Sequence, residues 1–378
     1  MERAVVAMSG GVDSSVAALL VKDSGYDPIG FSMRLWDRRR NSETNEQLGK
    51  ATRCYPHDDL YDAYAAASRI GIPCHVVDFQ KEFEDSVVRP FVWEYLHGRT
   101  PSPCIHCNSR LKFGHMISLA DDAGIARVAT GHYARVARDE KNGSYLLLEA
   151  RDKNKDQSYF LFGLTQEQLA RAMFPLGNMT KQEVRQIARR HNIPTAEKAE
   201  SQELCFIPNG DYASFIEQYE LRDDSAPFAA PHPGKIIDVS GRVLGMHNGI
   251  HHYTIGQRRG IGISHSEPLY VLEIRLMENI IVVGERRLLG RRFCLVERIN
   301  WIAINDLTEP LRVTAKIRSH HTPAPALIEP RGDDCVLVTF NSPQAGVTPG
   351  QACVFYQDAI VIGGGWITSG LSGYLDGY

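Results

Sequence analysis

The chain is short of what a membrane protein, a secreted disulfide scaffold or a bulk polyanion binder requires. No apolar run in its 378 residues approaches the roughly 20 needed to cross a bilayer as a helix. The first apolar segment, Ala4-Val5-Val6-Ala7-Met8, is too short for a signal-peptide core and passes straight into Ser9-Gly10-Gly11. No targeting segment and no membrane partner are expected, and a cytoplasmic location is. Formal net charge is only −3, so nucleic acid cannot be held by overall charge. Local basic clusters remain, at Arg38-Arg39-Arg40, Arg258-Arg259, Arg286-Arg287 and Arg291-Arg292, although such runs are more often solvated faces than contacts. The eight cysteines (Cys54, Cys74, Cys104, Cys107, Cys205, Cys294, Cys335 and Cys353) occur in a large chain without a secretion signal, so metal binding, catalysis or burial explains them better than a disulfide framework. Internal repeats and long low-complexity tracts are also missing.

What is present is a chain of ordinary globular composition, 43% hydrophobic and 23% charged, long enough for two or three domains. Its first half alternates short apolar strands with amphipathic helices. Strands are expected at Ala4 to Met8, Ile29 to Met33, Cys74 to Val77 and Arg127 to Thr130. Helices are expected at Ser14 to Lys22, Leu60 to Ile70, Lys81 to Leu96 and Leu111 to Ala123. That alternation predicts an α/β fold with a doubly wound parallel sheet. Between Arg222 and Gly234, prolines and small polar residues mark a linker. Beyond it, apolar segments at Lys235 to Val239, Leu269 to Ile274, Ile280 to Val283, Val336 to Phe340 and Ala359 to Ile362 predict short strands. The expected division is residues 1–206 as an α/β catalytic domain, 207–267 as a small β-rich central domain with its linker, and 268–378 as an antiparallel β-barrel.

The strand at Ala4 to Met8 feeds Ser9-Gly10-Gly11-Val12-Asp13-Ser14-Ser15, where a helix begins. Gly10 and Gly11 allow backbone to approach oxygen atoms closely, and helix-start N–H groups with the Ser9, Ser14 and Ser15 hydroxyls supply donors. A pyrophosphate fits such a loop. The bland alternative is an ordinary βα turn with a serine cap. No Gly-x-x-x-x-Gly-Lys-Ser/Thr stretch exists, so the lysine that P-loop ATPases place against β- and γ-phosphates is missing and cleavage between α and β is favoured. The seven-residue string resembles the signature of the PP-loop ATP pyrophosphatase superfamily, whose members adenylate a substrate oxygen.

Gly98 to Asn108, Gly-Arg-Thr-Pro-Ser-Pro-Cys-Ile-His-Cys-Asn, reads as a proline-stiffened loop carrying Cys104-x-x-Cys107, with Leu111-Lys112-Phe113 following on a helix. Two thiols at this spacing can bind metal, form a redox disulfide, or act as nucleophile and partner, and Arg99, Arg110 and Lys112 favour thiolate. A zinc site would have to recruit His106 and His115, since a second cysteine pair is missing. Farther on, Glu200-Ser201-Gln202-Glu203-Leu204-Cys205-Phe206-Ile207 presents a third thiol in a polar approach.

Taken together these pieces resemble the bacterial tRNA-specific 2-thiouridylases, which convert the wobble uridine of certain tRNAs to 2-thiouridine. The likeness spans nearly the whole chain: Met8 to Ser15, Gly98 to Phe113, Thr130-Gly131-His132-Tyr133, Lys155 to Leu161, Gln202 to Ile207, Tyr253 to Gly260 and Thr348-Pro349-Gly350-Gln351. It implies ATP and Mg2+ at Ser9, Gly10, Gly11, Val12, Asp13, Ser14 and Ser15, with backbone near Met33 and Gly131 holding the adenosine. It implies a catalytic pair, Cys205 carrying sulfur as a persulfide and Cys107 completing release. Lys155, Asp156, Gln157, Ser158 and Tyr159 are expected to line the entry of a flipped uridine, because the C2 oxygen of a stacked base cannot reach nucleotide and thiol. Arg258 and Arg259 join that tRNA-binding set, and a protein that donates persulfide sulfur is a second implied partner. Aromatic residues such as Phe355, Tyr356 and Trp366 could grip tRNA from the barrel, but as individual residues they are better read as its core.

One departure matters: many members have aspartate where this chain has Cys104. In one version of the chemistry, uridine oxygen attacks the α-phosphate, a Cys205 persulfide attacks C2, and a Cys107–Cys205 disulfide remains. In the other, Cys104, Cys107 and Cys205 hold three irons of a [4Fe–4S] cluster whose fourth iron binds hydrosulfide. Rival readings are a PP-loop ligase that amidates a small metabolite, for which no glutaminase segment is found, and a non-catalytic RNA-binding or sulfur-carrying scaffold, which an intact loop argues against.

Overall fold

Near-continuous apolar stretches such as Ala4-Val5-Val6-Ala7 can be buried on both faces only inside a parallel sheet covered by helices, and that is how they are used. The computed structural model describes residues 1–36, 56–199, 204–207, 210–220, 232–332 and 334–371. Arg38-Arg39-Arg40, Cys54, Glu200 to Glu203 and most of the 222–234 segment lie outside the described residues. The chain divides into two compact units, the first made of Met1–Val87, Cys104–Gly210 and Asp358–Val361, the second of Val88–Pro103, Asp211–Gln357 and the residues from Ile362 on.

In the first unit β1 (Arg3–Ala7) leads into α1 (Val12–Asp23), then β2 (Asp27–Arg34), α2 (Pro56–Ile70), β3 (Cys74–Asp78) and β4 (Arg127–Ala129). A hairpin of β5 (Ala134–Arg138) and β6 (Tyr145–Glu149) follows, then the short β7 (Ala172–Met173) and α3 (Lys181–Arg190). The sheet order is β3-β2-β1-β4-β7, all parallel. The chain steps outward from β1 through β2 to β3, then returns to the other side of β1 as β4. This is a switch point, and crevices beyond the carboxyl ends of strands at switch points are where open α/β sheets bind ligands. The core beneath it is built from small side chains, Ala17, Ala18, Ala63, Ala66 and Ala67 packing with Val6, Val16 and Leu176, so α1 and α2 lie close to the sheet.

The helix expected over 81–96 forms as Gln80–Phe83, a wide i→i+5 turn over Glu84–Val88, and Arg89–Leu96. The helix expected from Leu111 starts earlier. It runs as Pro103–His106, a wide-turn segment Cys107–His115, then Met116–Asp122. The cysteine pair therefore sits on helix and not on the loop that the prolines suggested. Pro103 explains the difference: at a first helical position its fixed φ suits the helix and its missing N–H costs nothing.

In the second unit β8 (Gly234–Asp238), β9 (Val243–His247), β10 (Tyr270–Arg275) and β11 (Ile280–Gly284) form a small sheet in the order β10-β11-β8-β9, with β8 and β11 parallel. Ile236, Val271, Ile281 and Val283 build its core. The helix α4 (Tyr212–Glu220) precedes these strands in sequence. Six strands then close a barrel: β12 (Gly290–Trp301), β13 (Leu311–Lys316), β14 (Ala324–Pro330), β15 (Cys335–Ala345), β16 (Ala352–Gln357) and β17 (Ile360–Leu371). Their order is β12-β15-β14-β13-β16-β17, and β12 pairs back onto β17, which abolishes the open edges. Phe355, Tyr356 and Trp366 are buried, as a barrel core demands. No helix among the described residues is long and apolar enough to cross a membrane.

Candidate active site

The glycine loop occupies the switch point. Gly11 caps α1 in extended conformation with no side-chain hydrogen bond, so the first-turn N–H groups of α1 meet no side-chain acceptor there. Ser14 Oγ and Ser15 Oγ donate to Gly11 O at 3.0 and 2.9 Å, and Ser9 N donates to Ser14 Oγ at 3.2 Å. The serines thus brace the loop they belong to. Gly10 has φ of +72°, and a Cβ there would stand 2.2 Å from the Asp59 carbonyl oxygen. Gly131, just beyond β4, packs so closely on α1 that its Cβ would meet Ser14 N at 2.7 Å. Both glycines are required by the contact between loop and neighbouring backbone. Met33 lies on β2 beside β1, paired with Val77.

Two lysines remote in sequence close on this loop. Lys181 Nζ lies 2.8 and 2.7 Å from the two carboxylate oxygens of Asp13, and the Tyr133 hydroxyl donates to Asp13 Oδ1 at 2.8 Å. The Lys181 side chain is 10% exposed, the Asp13 side chain 31%, so the pair is only partly screened by solvent. Lys198 Nζ donates to Gly10 O at 3.1 Å and pairs with Asp59 at 2.7 Å and Asp62 at 2.5 Å, tying the loop to α2. Thr195 Oγ1 donates to Ser15 Oγ at 3.3 Å. Lys181 thus offsets the charge of the one carboxylate in the Ser9 to Ser15 loop.

The thiol helix reaches the segment after β4 through Phe113, whose ring centroid lies 6.4 Å from that of His132. Cys107 is buried, and that burial raises its thiol pKa, with the Lys112 ammonium pulling the other way. Part of Cys104 reaches the surface, yet the protein around its sulfur pushes its pKa up, Cys107 adds to the rise and Lys112 opposes it. The expectation that basic neighbours make these cysteines thiolates is therefore corrected. Desolvation outweighs the one cation that acts on both, and Arg99 is engaged by Glu94 at 2.6 Å. His132 is buried and its Nδ1 lies 2.8 Å from Thr130 Oγ1. Burial, with Lys112 second, holds its imidazole well below the ordinary pKa, so it is neutral.

Asn108 Nδ2 donates to Phe160 O at 3.1 Å and Gln168 Nε2 to Ser109 O at 2.9 Å, so the 155–161 segment packs on the thiol helix. Gln157 exchanges two bonds with the Tyr133 backbone, at 2.8 and 2.9 Å. Cys205 is exposed, while its neighbour Phe206 is buried edge-on against Phe83, ring centroids 5.5 Å apart. The described cysteines are free thiols. Among the described residues only Glu217, His251 and His252 gather three ligand atoms within 4.8 Å; Cys104 and Cys107 with His106 or His115 are not gathered in that way.

The model for the tRNA methyl transferase HUP domain matches residues 2–209, that for the tRNA methyl transferase PRC-barrel domain residues 226–285, and that for the aminomethyltransferase beta-barrel domain residues 291–367. The tRNA-specific 2-thiouridylase MnmA of Koribacter versatilis is 49% identical over 97% of this chain and 99% of that protein. Its counterpart in Acidobacterium capsulatum is 48% identical over 96% of this chain and 98% of its own length. The chain belongs to the MnmA family of tRNA-specific 2-thiouridylases. Solved structures give a fainter likeness: a 4-thiouridine synthetase–RNA complex with bound ATP, at TM-score 0.34 and 14% identity, covers 57% of this chain and 50% of that one. The NMN synthetase of Francisella tularensis follows at TM-score 0.32 and 18% identity, covering 53% of this chain and 66% of the other.

The residues singled out through the MnmA resemblance fall into three groups. Ser9 to Ser15 and Gly131 follow the carboxyl ends of β1 and β4, Gln157 bonds to the Tyr133 backbone just beyond, and Cys104 and Cys107 lie on the thiol helix of the first unit. Asp156, Ser158 and Tyr159 serve the fold there: Asp156 accepts from Ala150 N, Ser158 N and Ser158 Oγ, and Ser158 and Tyr159 are buried. Lys155 is half-buried at the start of that turn, its N–H donating to Asp152 O at 3.0 Å. Arg258 and Arg259 are exposed in the second unit. That unit also joins three of the strings: Thr100 N donates to Pro349 O at 2.8 Å, Gln351 Nε2 to Thr100 O at 2.9 Å, and Thr100 Oγ1 to Thr254 Oγ1 at 3.4 Å.

Sequence reasoning missed Lys181, Lys198, Tyr133 and His132 as site residues. One signal was available for Lys181. Thr180 and Glu183 form a capping box that starts α3, so Lys181 places a cation at a helix N-terminus, where the dipole disfavours it. A carboxylate partner elsewhere in the fold was the implied compensation.

Proposed function

We propose that this chain is an ATP-dependent tRNA-uridine 2-sulfurtransferase, converting a wobble uridine to 2-thiouridine in the cytoplasm. One observation carries the reading: a glycine loop at the switch point of a parallel sheet shares a unit with a helix bearing two thiols, in a chain that aligns with an MnmA protein over 97% of its length. Residues 1–206 are assigned the chemistry; 207–267 and 268–378 are assigned the hold on tRNA, with Arg258 and Arg259 among the contacts.

The uridine C2 oxygen attacks the α-phosphorus of ATP and pyrophosphate leaves onto the N–H and hydroxyl donors of Ser9 to Ser15, with backbone near Met33 and Gly131 holding the adenosine; Mg2+ held at that loop would neutralise part of the pyrophosphate charge. The terminal sulfur of a Cys205 persulfide then bonds to C2 and AMP departs with its oxygen. Cys107 attacks the Cys205 sulfur and breaks the S–S bond, so the base leaves as 2-thiouridine. A Cys107–Cys205 disulfide remains, which an external dithiol must reduce, and a donor protein reloads Cys205. Burial keeps the Cys107 thiol protonated at neutral pH, so Lys112 supports the step by stabilising the thiolate as it forms.

Cys104 supports a second reading. It adjoins Cys107 on one helix, and with Cys205 the donor set suits three irons of a [4Fe–4S] cluster, whose fourth iron would supply a position for hydrosulfide. The persulfide reading is preferred because it needs only Cys107 and Cys205, the thiols present in aspartate-type and cysteine-type sequences alike. Nucleoside mass spectrometry of tRNA from cells with and without the gene tests the function: 2-thiouridine should vanish on deletion and return with the gene. Unchanged 2-thiouridine refutes it. Full thiolation by iron-free enzyme refutes the cluster.

A further inference from the structure

A second constellation of ligand-type side chains lies in the second unit. Helix α4 presents Glu217 to the helical turn Ile250–His252, and Glu217 Oε1 stands 3.2 Å from Nε2 of His251 and 3.2 Å from Nε2 of His252. The three ligand atoms lie within 4.8 Å of one another, and the two imidazole rings are tilted by 40° with centroids 4.2 Å apart. Tetrahedral zinc with N and O ligands has ligand-to-ligand edges of about 3.3–3.4 Å. The two oxygen–nitrogen separations therefore need to open by only about 0.1–0.2 Å to accept the ion.

Burial fixes which atoms face the cluster and which side of it is open. His251 has no exposed surface and its Nδ1 has no partner, so the ring's polar contact is made through Nε2, into the cluster. The side chains of His252 and Glu217 are 34% and 46% exposed, which opens one side of the cluster to solvent and leaves room for a water as fourth ligand. His247, the next imidazole along the chain, is otherwise committed: Nδ1 accepts from Gly249 N at 3.1 Å and Nε2 faces Asn279 O at 3.2 Å.

We infer that Glu217, His251 and His252 form a mononuclear site for a divalent cation of zinc type, with three protein ligands and a solvent-facing fourth position. The ion ties α4 to the turn from which Tyr253 to Arg259 continues. That turn leads into the segment carrying the exposed Arg258 and Arg259, which is held to β10 by its own backbone bonds, Gly256 N to Val271 O at 2.8 Å and Val271 N to Gln257 O at 2.9 Å. The competing arrangement has two imidazole N–H groups sharing one carboxylate oxygen with no ion.

The test uses the full chain, stripped by chelator under reducing conditions, loaded with Zn2+ and desalted, as parent, Glu217→Gln and His252→Ala. Both altered residues are partly exposed, so the variants should fold. The parent should retain one zinc equivalent more than either variant, and the variants' affinity at that site should fall by more than the 10–100-fold typical of losing a mere outer-shell partner. Zn2+ should raise the melting temperature of the parent and not of the variants. Zinc-edge absorption on the parent, which needs no variant, should show nitrogen and oxygen ligands and so exclude binding at Cys104, Cys107 or Cys205. Equal zinc content and equal thermal shift in all three proteins, or a zinc spectrum showing sulfur ligands alone, overturns the inference.

Discussion

Replacing Lys181 by methionine keeps its bulk and removes its charge. Asp13 then retains only the Tyr133 hydroxyl, and the anion loop acquires an uncompensated carboxylate. At an effective dielectric of about 20, one such charge roughly 6 Å from a phosphate costs on the order of 3 kcal/mol. Solvent reaches Asp13, whose side chain is 31% exposed, so screening lowers the working figure to about 2 kcal/mol, a rise of about 30-fold in the ATP KM. The fold loses less, about 1–2 kcal/mol, because the abandoned carboxylate can hydrate. The assay is ATP-dependent pyrophosphate release with substrate tRNA, alongside a thermal melt. The double variant Asp13→Asn with Lys181→Met separates two roles. If Lys181 acts by neutralising Asp13, removing both charges restores much of the ATP affinity; if its ammonium touches phosphate directly, it does not. An ATP KM for Lys181→Met within threefold of the parent would refute the neutralisation argument.

Three further outcomes are expected. Cys107→Ser and Cys205→Ser should each abolish 2-thiouridine formation while tRNA adenylation persists, and Cys104→Ser should be mild under persulfide chemistry but equally damaging under a cluster; sulfur transfer surviving in either of the first two overturns their assignment. Because burial lifts the Cys107 thiol above its ordinary 9.0, the thiolate fraction and the single-turnover release rate should climb about tenfold from pH 7 to 8 and go on rising beyond, and Lys112→Met should displace that profile to higher pH. A flat profile contradicts the buried-thiol reading. Gly10→Ala and Gly131→Ala should lower stability by roughly 1–3 kcal/mol and abolish detectable ATP binding, since the added methyl meets backbone at 2.2 and 2.7 Å, and ordinary ATP affinity in either protein would show the loop to be more pliant than its packing implies.

The amino-acid sequence by itself determined the α/β alternation, the β-rich second half and the glycine loop that opens α1, because these are local matters. Apolar period, glycine spacing and a helix start are written in consecutive residues such as Ala4 to Ser15. It also named Cys107 and Cys205 through resemblance, and exposed Cys104 as a departure. Local signals misled at Pro101-Ser102-Pro103, where proline reads as a loop and in fact opens the helix that carries both cysteines. Only the tertiary structure decided what is charged and what is paired. Lys181 stands 168 residues from Asp13 in sequence, and no local pattern links them. The cations beside the cysteines predicted thiolates, but burial, a property of the packed unit, outweighs Lys112. Glu217 and the His251-His252 pair likewise become a constellation only when α4 is laid against the turn, because ligand geometry is a relation between elements and no single segment contains it.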